Sequence, residues 1–480
     1  MRPSPPASTR QAARVTSSHT NASGAASRVD WGVTAIVAGA CVLLGLFFVL
    51  DWGRGPARAL LLVLLAALAW RAACREPRPL PTGRTSLRQV LLFVVALGGI
   101  AFHLDTGVRS IHRATSTRSI ELDQGQISYR ASRYLIERGV NPYGREIPLD
   151  TTELRIGLDE LIEPEDANLA VGEIDAALES GTDPSAVWEL VPRPGDDPGK
   201  QEAWQGLSSR LGYKYGPLQL ALYTPAVALC GHAGIYVVHQ LLYLGIVAAV
   251  IAILRRWWPD PGVPWAVALI IIHIPPHIAH NTLDLSATDL LPLLCGLLAV
   301  LCFLGGRGRL TALFVGASIA SKLFPGALYV PLLLAVRPRD WWPLPVVLAA
   351  SYGPFLAWDA PGLVANLVSF NFVRSTDSTA LVHFLRPGTA WLVKGLGIAL
   401  IGYGLWRAMR AGWTPRATLA YLLVAHGAAF LAAGTFHNNY LIWVTPLLGL
   451  FLAVALFQPV TSGRTAGCST RGRASVCFPP

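Results

Sequence analysis

Residues 121–135 read ELDQGQISYRASRYL, and they lie in a polar stretch from roughly Asp105 to Leu211 that interrupts an otherwise apolar chain. This stretch is rich in acids, amides and tyrosines, and apolar segments flank it on both sides. The pattern predicts a many-pass membrane protein with one long polar loop. Such a loop favours chemistry at the membrane surface over a scaffold or a simple pore.

The composition is that of a membrane protein. Of the 480 residues, 52% are hydrophobic and 14% are charged, whereas soluble domains carry about 25% charged residues. A spanning helix needs about 20 apolar residues. Suitable windows start near Trp31, Ala57, Arg88, Tyr215, Ile235, Val263, Leu285, Leu310, Trp341, Gly388, Thr418 and Asn439. We therefore expect an all-α polytopic membrane protein of about 12 transmembrane helices.

The chain divides into five predicted regions. They are a disordered basic cytosolic tail (1–30), N-terminal transmembrane helices (31–104), an extracytoplasmic loop (105–212), a transmembrane bundle (213–458) and a basic C-terminal tail (459–480). The loop combines an amphipathic helix with an acidic insertion over 146–210, which we expect to be part helical and part irregular.

The net charge of +10 comes almost entirely from arginine. The arginines lie in tails and short loops, such as 71–88 with five arginines and one Glu. This distribution is the positive-inside pattern, so it argues against nucleic-acid binding and places these segments in the cytosol. The long loop then lies outside a bacterial-type plasma (inner) membrane. Two spans between Tyr215 and Leu254 would leave Arg255-Arg256 outside the membrane. The number and the orientation of the spans after residue 212 therefore stay open.

The quoted stretch predicts a helix over Asp123–Arg138. Ile127, Ala131, Tyr134 and Leu135 recur at helical spacing on one face, and Gly139 ends the helix. An interfacial helix of this kind would place its tyrosines at headgroup depth and its arginines outward. Asp123 would be either a helix N-cap or a general base at the membrane surface, with Asp105 as the rival carboxylate.

Other ionisable residues lie in or near apolar segments, where charges are costly unless they are used or paired. Lys322 either snorkels to the interface or binds an anion such as a lipid phosphate. His277, His280, Asp284 and Asp289 cap helices, contact substrate or hold a metal.

Several short motifs, taken in order, resemble the GT-C superfamily of glycosyltransferases, and most closely glycosyltransferase family 87. The similarity covers about 88–457. The matching motifs are Asp123 followed by Tyr129 and Asn141-Pro-Tyr143, then Tyr215-Gly-Pro, the turn Ser286–Asp289, Lys322-Leu-Phe-Pro325, Thr376-Asp377-Ser378 and His437-Asn438. The chain departs from the family in lacking the Gly-Gln turn, in having Asn438 for a second His, and in its long insertion.

The resemblance implies a GT-C-type bundle that moves a sugar, with mannose expected, from a polyprenyl-phosphate donor to a lipid or glycan acceptor with inversion. Asp123 would be the catalytic base. The implied substrate-binding residues are Tyr129, Tyr143, Tyr215, Asp289, Lys322, Asp377, Arg386 and His437. No metal or other cofactor is indicated, and metal dependence stays open. The alternatives are a transporter or flippase of lipid-linked sugars and a non-catalytic partner protein.

Overall fold

The structure is a computed structural model of the chain. It describes residues 31–49, 55–77, 87–121, 123–193, 195–273, 278–370, 380–433 and 440–458. Every regular element within these ranges is helical. The prediction of an all-α protein is therefore confirmed for the described part of the chain.

The α-helices are numbered here in chain order. They are α1 (Trp31–Val49), α2 (Gly55–Ala73), α3 (Leu87–Thr117), α4 (Asp123–Arg138), α5 (Thr151–Leu158), α6 (Pro164–Ser180), α7 (Pro184–Glu189), α8 (Pro198–Ser208), α9 (Pro217–Cys230), α10 (Ala233–Trp257), α11 (Val263–His273), α12 (Leu290–Leu304), α13 (Gly308–Ser321), α14 (Leu323–Ala327), α15 (Pro343–Val364), α16 (Pro387–Arg410), α17 (Pro415–Ala432) and α18 (Leu441–Leu456). Short π-helical segments cover Ile278–Asp284 and Ala365–Ser369, and 3-10 turns cover Val330–Ala335, Pro338–Asp340 and Leu381–Phe384.

Three described helices are long and apolar enough to cross a bilayer, namely Gln89–Thr117 within α3, α10 and α16. The bent pair of α11 and Ile278–Asp284 would make a fourth span. Seven further apolar helices have only 10–17 described residues, which is shorter than the roughly 20 that a span requires. These helices agree with a membrane protein, and the number of about 12 spans stays a prediction.

The third helix is longer than the predicted N-terminal region suggests. α3 continues through Asp105 to Thr117, so its last turns lie within the range that the sequence analysis places in the loop. Asp105 pairs with Arg109 one turn later at 2.9 Å, and both side chains are exposed.

The polar loop folds into a small helical unit with its own hydrophobic core, which we call the loop domain (123–211). Buried side chains of α4 to α8, including Ile174 and Leu178, cluster with Leu220, Leu363 and Leu367 of the bundle, and this cluster is separate from the main core. The insertion over 146–210 is part helical, as expected, with α5 to α8 joined by short irregular segments.

The acids and prolines of the insertion account for these helices, because they form the helix starts. Asp150, Asp183 and Asp197 each accept a hydrogen bond from a backbone N–H in the first turn of α5, α7 and α8. Proline occupies the first turn of α6, α7 and α8, where its missing N–H costs nothing. The Asp and Pro residues that give this segment the composition of a flexible loop therefore begin and cap its helices.

Helix α4 has the predicted bounds, but its orientation differs from the prediction. Arg130 is 1% exposed and pairs with Asp175 at 2.8 Å and Glu179 at 3.1 Å. The expectation that the arginines of α4 point outward is therefore wrong for Arg130. A buried guanidinium needs such partners, and both lie on α6, so this contact fixes α6 to α4.

Glu179 extends the same network to the start of α10. Its carboxylate contacts His232 Nε2 at 3.2 Å. Burial opposes ionisation of Glu179, but the hydrogen bond with His232 and the charge of Arg130 outweigh it, so the pKa of Glu179 is lowered. The stabilisation from this carboxylate is present above its unfolded pKa and is lost as the pH falls through the folded value.

The loop-domain core gives a first testable expectation. Ile174→Ala should lower the free energy of unfolding of the loop domain by about 2–5 kcal/mol, because a fully buried side chain leaves a cavity. Leu169→Ala on the same helix is the matched control, since Leu169 is 68% exposed, and should change it by less than about 0.5 kcal/mol. Thermal proteolysis of the detergent-solubilised chain, followed within 146–210, measures both. Equal effects would show that this core does not support the domain.

Candidate active site

A buried ion pair marks the place where two helices of the bundle are interrupted. Lys322 Nζ donates to Asp289 Oδ1 at 2.6 Å, with the Asp289 side chain fully buried and that of Lys322 18% exposed. Asp289 immediately precedes α12, and Lys322 separates α13 from α14 in an extended conformation (φ −153°, ψ 112°). Because a buried carboxylate is costly without a partner, this pair holds the two helix ends together.

Aromatic side chains surround the Lys322 ammonium. Its nitrogen lies 5.5 Å from the ring centroid of Tyr215 and 5.6 Å from that of Tyr440, which is within cation–π range. Trp443 Nε1 donates to the same Asp289 oxygen at 3.1 Å. Three aromatic residues therefore frame the ion pair: Trp443 on α18, Tyr440 just before α18 and Tyr215 just before α9.

The turn that carries Asp289 is fastened to the loop domain. Ser286 in this turn has a positive φ of 67°. Gln124 Oε1 accepts a hydrogen bond from the backbone N–H of Thr288 at 3.0 Å. Gln219 Nε2, from α9, donates to the Thr288 carbonyl at 2.6 Å. These contacts bring the first turn of α4 against the turn that precedes Asp289.

Asp123 is the first residue of α4 and the direct neighbour of Gln124. Its side chain lies outside the described residues, so its role as base stays a prediction. The backbone nonetheless places the start of α4 beside the turn of Asp289. The N-terminus of a helix presents unpaired N–H groups and a partial positive charge, which would favour an anion at this position.

A second polar cluster lies at the end of α3, close to the same turn. Arg113 pairs with Glu121 at 2.9 Å and with Asp284 at 3.0 Å. His280 Nδ1 lies 3.6 Å from the other Asp284 oxygen. All four side chains are between 31% and 43% exposed, so the cluster is open to polar ligands. Its members alternate in charge, and Glu121 places the cluster directly before the start of α4.

The metal interpretation of this cluster gains no geometric support. His280 and Asp284 lie together, whereas His277 is outside the described residues. Within the ranges that the structure describes, no group of three His, Cys, Asp or Glu side chains is placed to hold a metal ion.

The predicted substrate-binding tyrosines occupy different places. Tyr215 contributes its ring to the Lys322 frame. Tyr143 is fully buried and donates its hydroxyl to the Tyr215 carbonyl at 2.7 Å, so it supports Tyr215 from behind. Tyr129 stacks on the ring of His232 at 3.9 Å between centroids. Tyr215 therefore lies at the ion pair. Tyr129 instead packs α4 against the start of α10.

The remaining predicted residues are Arg386, Asp377 and His437. Arg386 is exposed at the start of α16, and its phosphate contact stays a prediction. Asp377 and His437 lie outside the described residues, although Tyr440, three residues after His437, adjoins Lys322. Asp105, the rival base, lies eight residues before Arg113 on α3, which is about 12 Å along the helix axis.

Several residues that contribute to this region are not marked by any pattern in the sequence. Trp443 gives no signal, because tryptophan is unremarkable in an apolar segment. Arg113 lies in the last turns of α3, which extends further than the sequence pattern indicates. Gln124 and Gln219 are amides whose partners lie far away in the chain.

No family model, curated protein or solved structure matches this chain.

Proposed function

We propose that the protein is a membrane glycosyltransferase of the GT-C type, with about 12 transmembrane helices. It moves a sugar, with mannose the first candidate, from a polyprenyl-phosphate donor to a lipid or glycan acceptor. The reaction takes place at the extracytoplasmic face of a bacterial-type plasma membrane, and it inverts the configuration at the anomeric carbon. The family resemblance of the sequence supplies the donor class.

The reaction is a single displacement. The Asp123 carboxylate takes the proton of the acceptor hydroxyl while the hydroxyl oxygen forms a bond to the anomeric carbon of the donor. The bond between that carbon and the phosphate oxygen breaks, and its electron pair leaves with the polyprenyl phosphate. The products are the glycosylated acceptor, polyprenyl phosphate and one proton, which Asp123 releases to solvent.

One observation carries the proposal, namely the Lys322 ammonium held by buried Asp289 in an aromatic frame beside the start of α4. An ammonium group has three N–H donors, and the bond to Asp289 uses one. The others are suited to a phosphate whose negative charge grows as the bond breaks. A positive group fixed in advance where charge develops is the usual source of such stabilisation.

In this reaction the base and the phosphate-binding cation come from two different elements. The start of α4 brings Asp123 from the loop domain, and the break between α13 and α14 brings Lys322 from the bundle. A lipid-linked donor would lie with its tail among the bundle helices and its phosphate at Lys322. The acceptor would then approach from the loop domain, on the side of Asp123.

Analysis of the product tests the proposed displacement. A polyprenyl-phosphate-mannose donor of known anomeric configuration should yield a product of the opposite configuration, because a single backside attack inverts the carbon. Nuclear magnetic resonance of the product formed by the purified protein in lipid vesicles measures the configuration. A product with retained configuration would contradict single displacement, since it requires two successive inversions.

A lipid-linked-sugar transporter is the second candidate, because a lysine in an aromatic frame can also hold a lipid phosphate that is moved and not cleaved. Such a transporter needs no base at residue 123. The two functions therefore differ in what a substitution of Asp123 does.

A further inference from the structure

The loop domain carries an open cleft of about 820 Å³ at the far end of α4 from Asp123. Its walls come from the last residue of α4, the turn that follows, and the short helix α7. Arg138, Arg145 and Arg193 line it together with Glu146 and Asp183. None of these residues belongs to the candidate active site.

The charges that line the cleft balance. Three arginines face Glu146, Asp183 and Glu189, and the one ion pair found among these described residues joins Arg138 to Asp183 at 3.7 Å. Arg145 and Arg193 are exposed and make no ion pair with another described residue. The lining thus offers both strong hydrogen-bond donors and strong acceptors without a net charge. It suits an uncharged ligand with many hydroxyl groups better than an anion.

Trp188 gives the cleft an apolar surface. Its Nε1 donates to the Glu146 carbonyl at 2.8 Å, and its ring meets the edge of Trp204 at 6.4 Å between centroids. These contacts fix the ring at the cleft, where Val140 and Pro184 add apolar surface. A fixed aromatic ring flanked by donors and acceptors matches a sugar ring, which has apolar C–H faces and a rim of hydroxyls.

The distance from the active site limits what this cleft can do. α4 has 16 residues, which corresponds to a length of about 24 Å. Asp123 begins the helix, and Arg138 in the cleft ends it. A ligand bound in the cleft is thus too far away to react, but a chain molecule can span both sites. Binding energy gained at such a remote point can serve catalysis at the reacting end.

We infer that this cleft binds an uncharged oligosaccharide, the remote part of a glycan acceptor whose end reaches Asp123. The assignment as acceptor rests on the proposed transferase function, whereas sugar binding by the cleft does not. A small headgroup acceptor would leave the cleft without a role, so the acceptor is a glycan chain, one of the two classes that the proposed function allows.

Calorimetric titration of the full-length protein in detergent tests the cleft, with mannotetraose, maltotetraose and cellotetraose as probes. At least one tetrasaccharide should bind saturably. Trp188→Ala should weaken that binding at least tenfold, as expected for an aromatic anchor of a binding site, and Arg193→Ala should also weaken it. Because Arg193 is exposed, its loss tests the cleft without disturbing the core. Trp391→Ala is the matched control, since Trp391 is 71% exposed on α16, and should bind as the intact protein does.

The outcomes separate the cleft from the proposed transfer reaction. Binding of no tetrasaccharide, or equal binding by Trp188→Ala and the intact chain, would overturn the cleft as a sugar site. Asp123→Asn should bind the tetrasaccharide normally if the cleft is a separate subsite. Tetrasaccharide binding without any sugar transfer by the intact protein would uphold the cleft and remove the proposed function. Transfer to a tetrasaccharide that falls in Trp188→Ala mainly through a higher KM would uphold both.

Discussion

Asp123→Asn is expected to lower the turnover of sugar transfer by about 100- to 10,000-fold, the usual contribution of a general base. Donor binding should be retained, because the donor phosphate is assigned to Lys322. Asparagine caps a helix about as well as aspartate, so the start of α4 should persist. The substitution therefore separates a base from a structural cap. Transfer and donor binding are measured with radiolabelled donor at matched protein levels.

Asp105→Asn is the matched control for that experiment. Asp105 is an exposed carboxylate that pairs with Arg109 on α3, and its loss should leave transfer nearly unchanged. Normal transfer by Asp123→Asn would remove Asp123 as the base. Loss of transfer in Asp105→Asn alone would assign the base to that residue.

Lys322→Met is expected to have the second large effect, and on two quantities. Transfer should fall by at least 100-fold, because the group that stabilises the departing phosphate is lost. The free energy of unfolding should also fall by about 3–5 kcal/mol, because the buried Asp289 carboxylate loses its positively charged partner. Labelled-donor transfer and thermal unfolding in detergent measure the two effects.

A double substitution separates the two roles of Lys322. In Lys322→Met/Asp289→Asn the buried charge is removed together with its partner, so most of the lost stability should return. Transfer should stay low, since the ammonium is still absent. Recovery of transfer along with stability would show that Lys322 only holds the fold.

The sequence predicted helix α4 well, because its signals are local. Apolar residues recur every three or four positions from Ile127 to Leu135, and Gly139, with a positive φ of 62°, ends the helix. The burial of Arg130 was not predictable in this way. Its partners Asp175 and Glu179 lie 45 and 49 residues further along the chain, and nothing in the periodicity of α4 indicates them.

The ion pair shows the same limit at the candidate site. Lys322 and Asp289 were each singled out because charges are rare in apolar segments. Their pairing joins residues 33 positions apart, and spacing along the chain cannot reveal it. The contact of Trp443 with Asp289, 154 residues away, could not be predicted for the same reason. Local chemistry thus identifies candidates, whereas the packing of α12, α13 and α18 assembles them.

The insertion contains local signals that place its helix starts. Its Asp, Pro and Gly residues are typical of irregular segments, but the same residue types begin helices. Asp183-Pro184 and Asp197-Pro198 each place a capping acid before a proline in the first turn. Treated as capping pairs, they would have predicted the starts of α7 and α8.

The most direct test of sugar transfer follows the donor itself. The purified protein in lipid vesicles is given polyprenyl-phosphate-mannose labelled in both the sugar and the lipid, together with a mannotetraose acceptor and membrane lipids. We predict that polyprenyl phosphate and mannosylated product appear in equal amounts, and that both form at least about 100-fold more slowly with Asp123→Asn. Movement of intact donor across the bilayer without cleavage of its sugar–phosphate bond would contradict the account and identify a transporter.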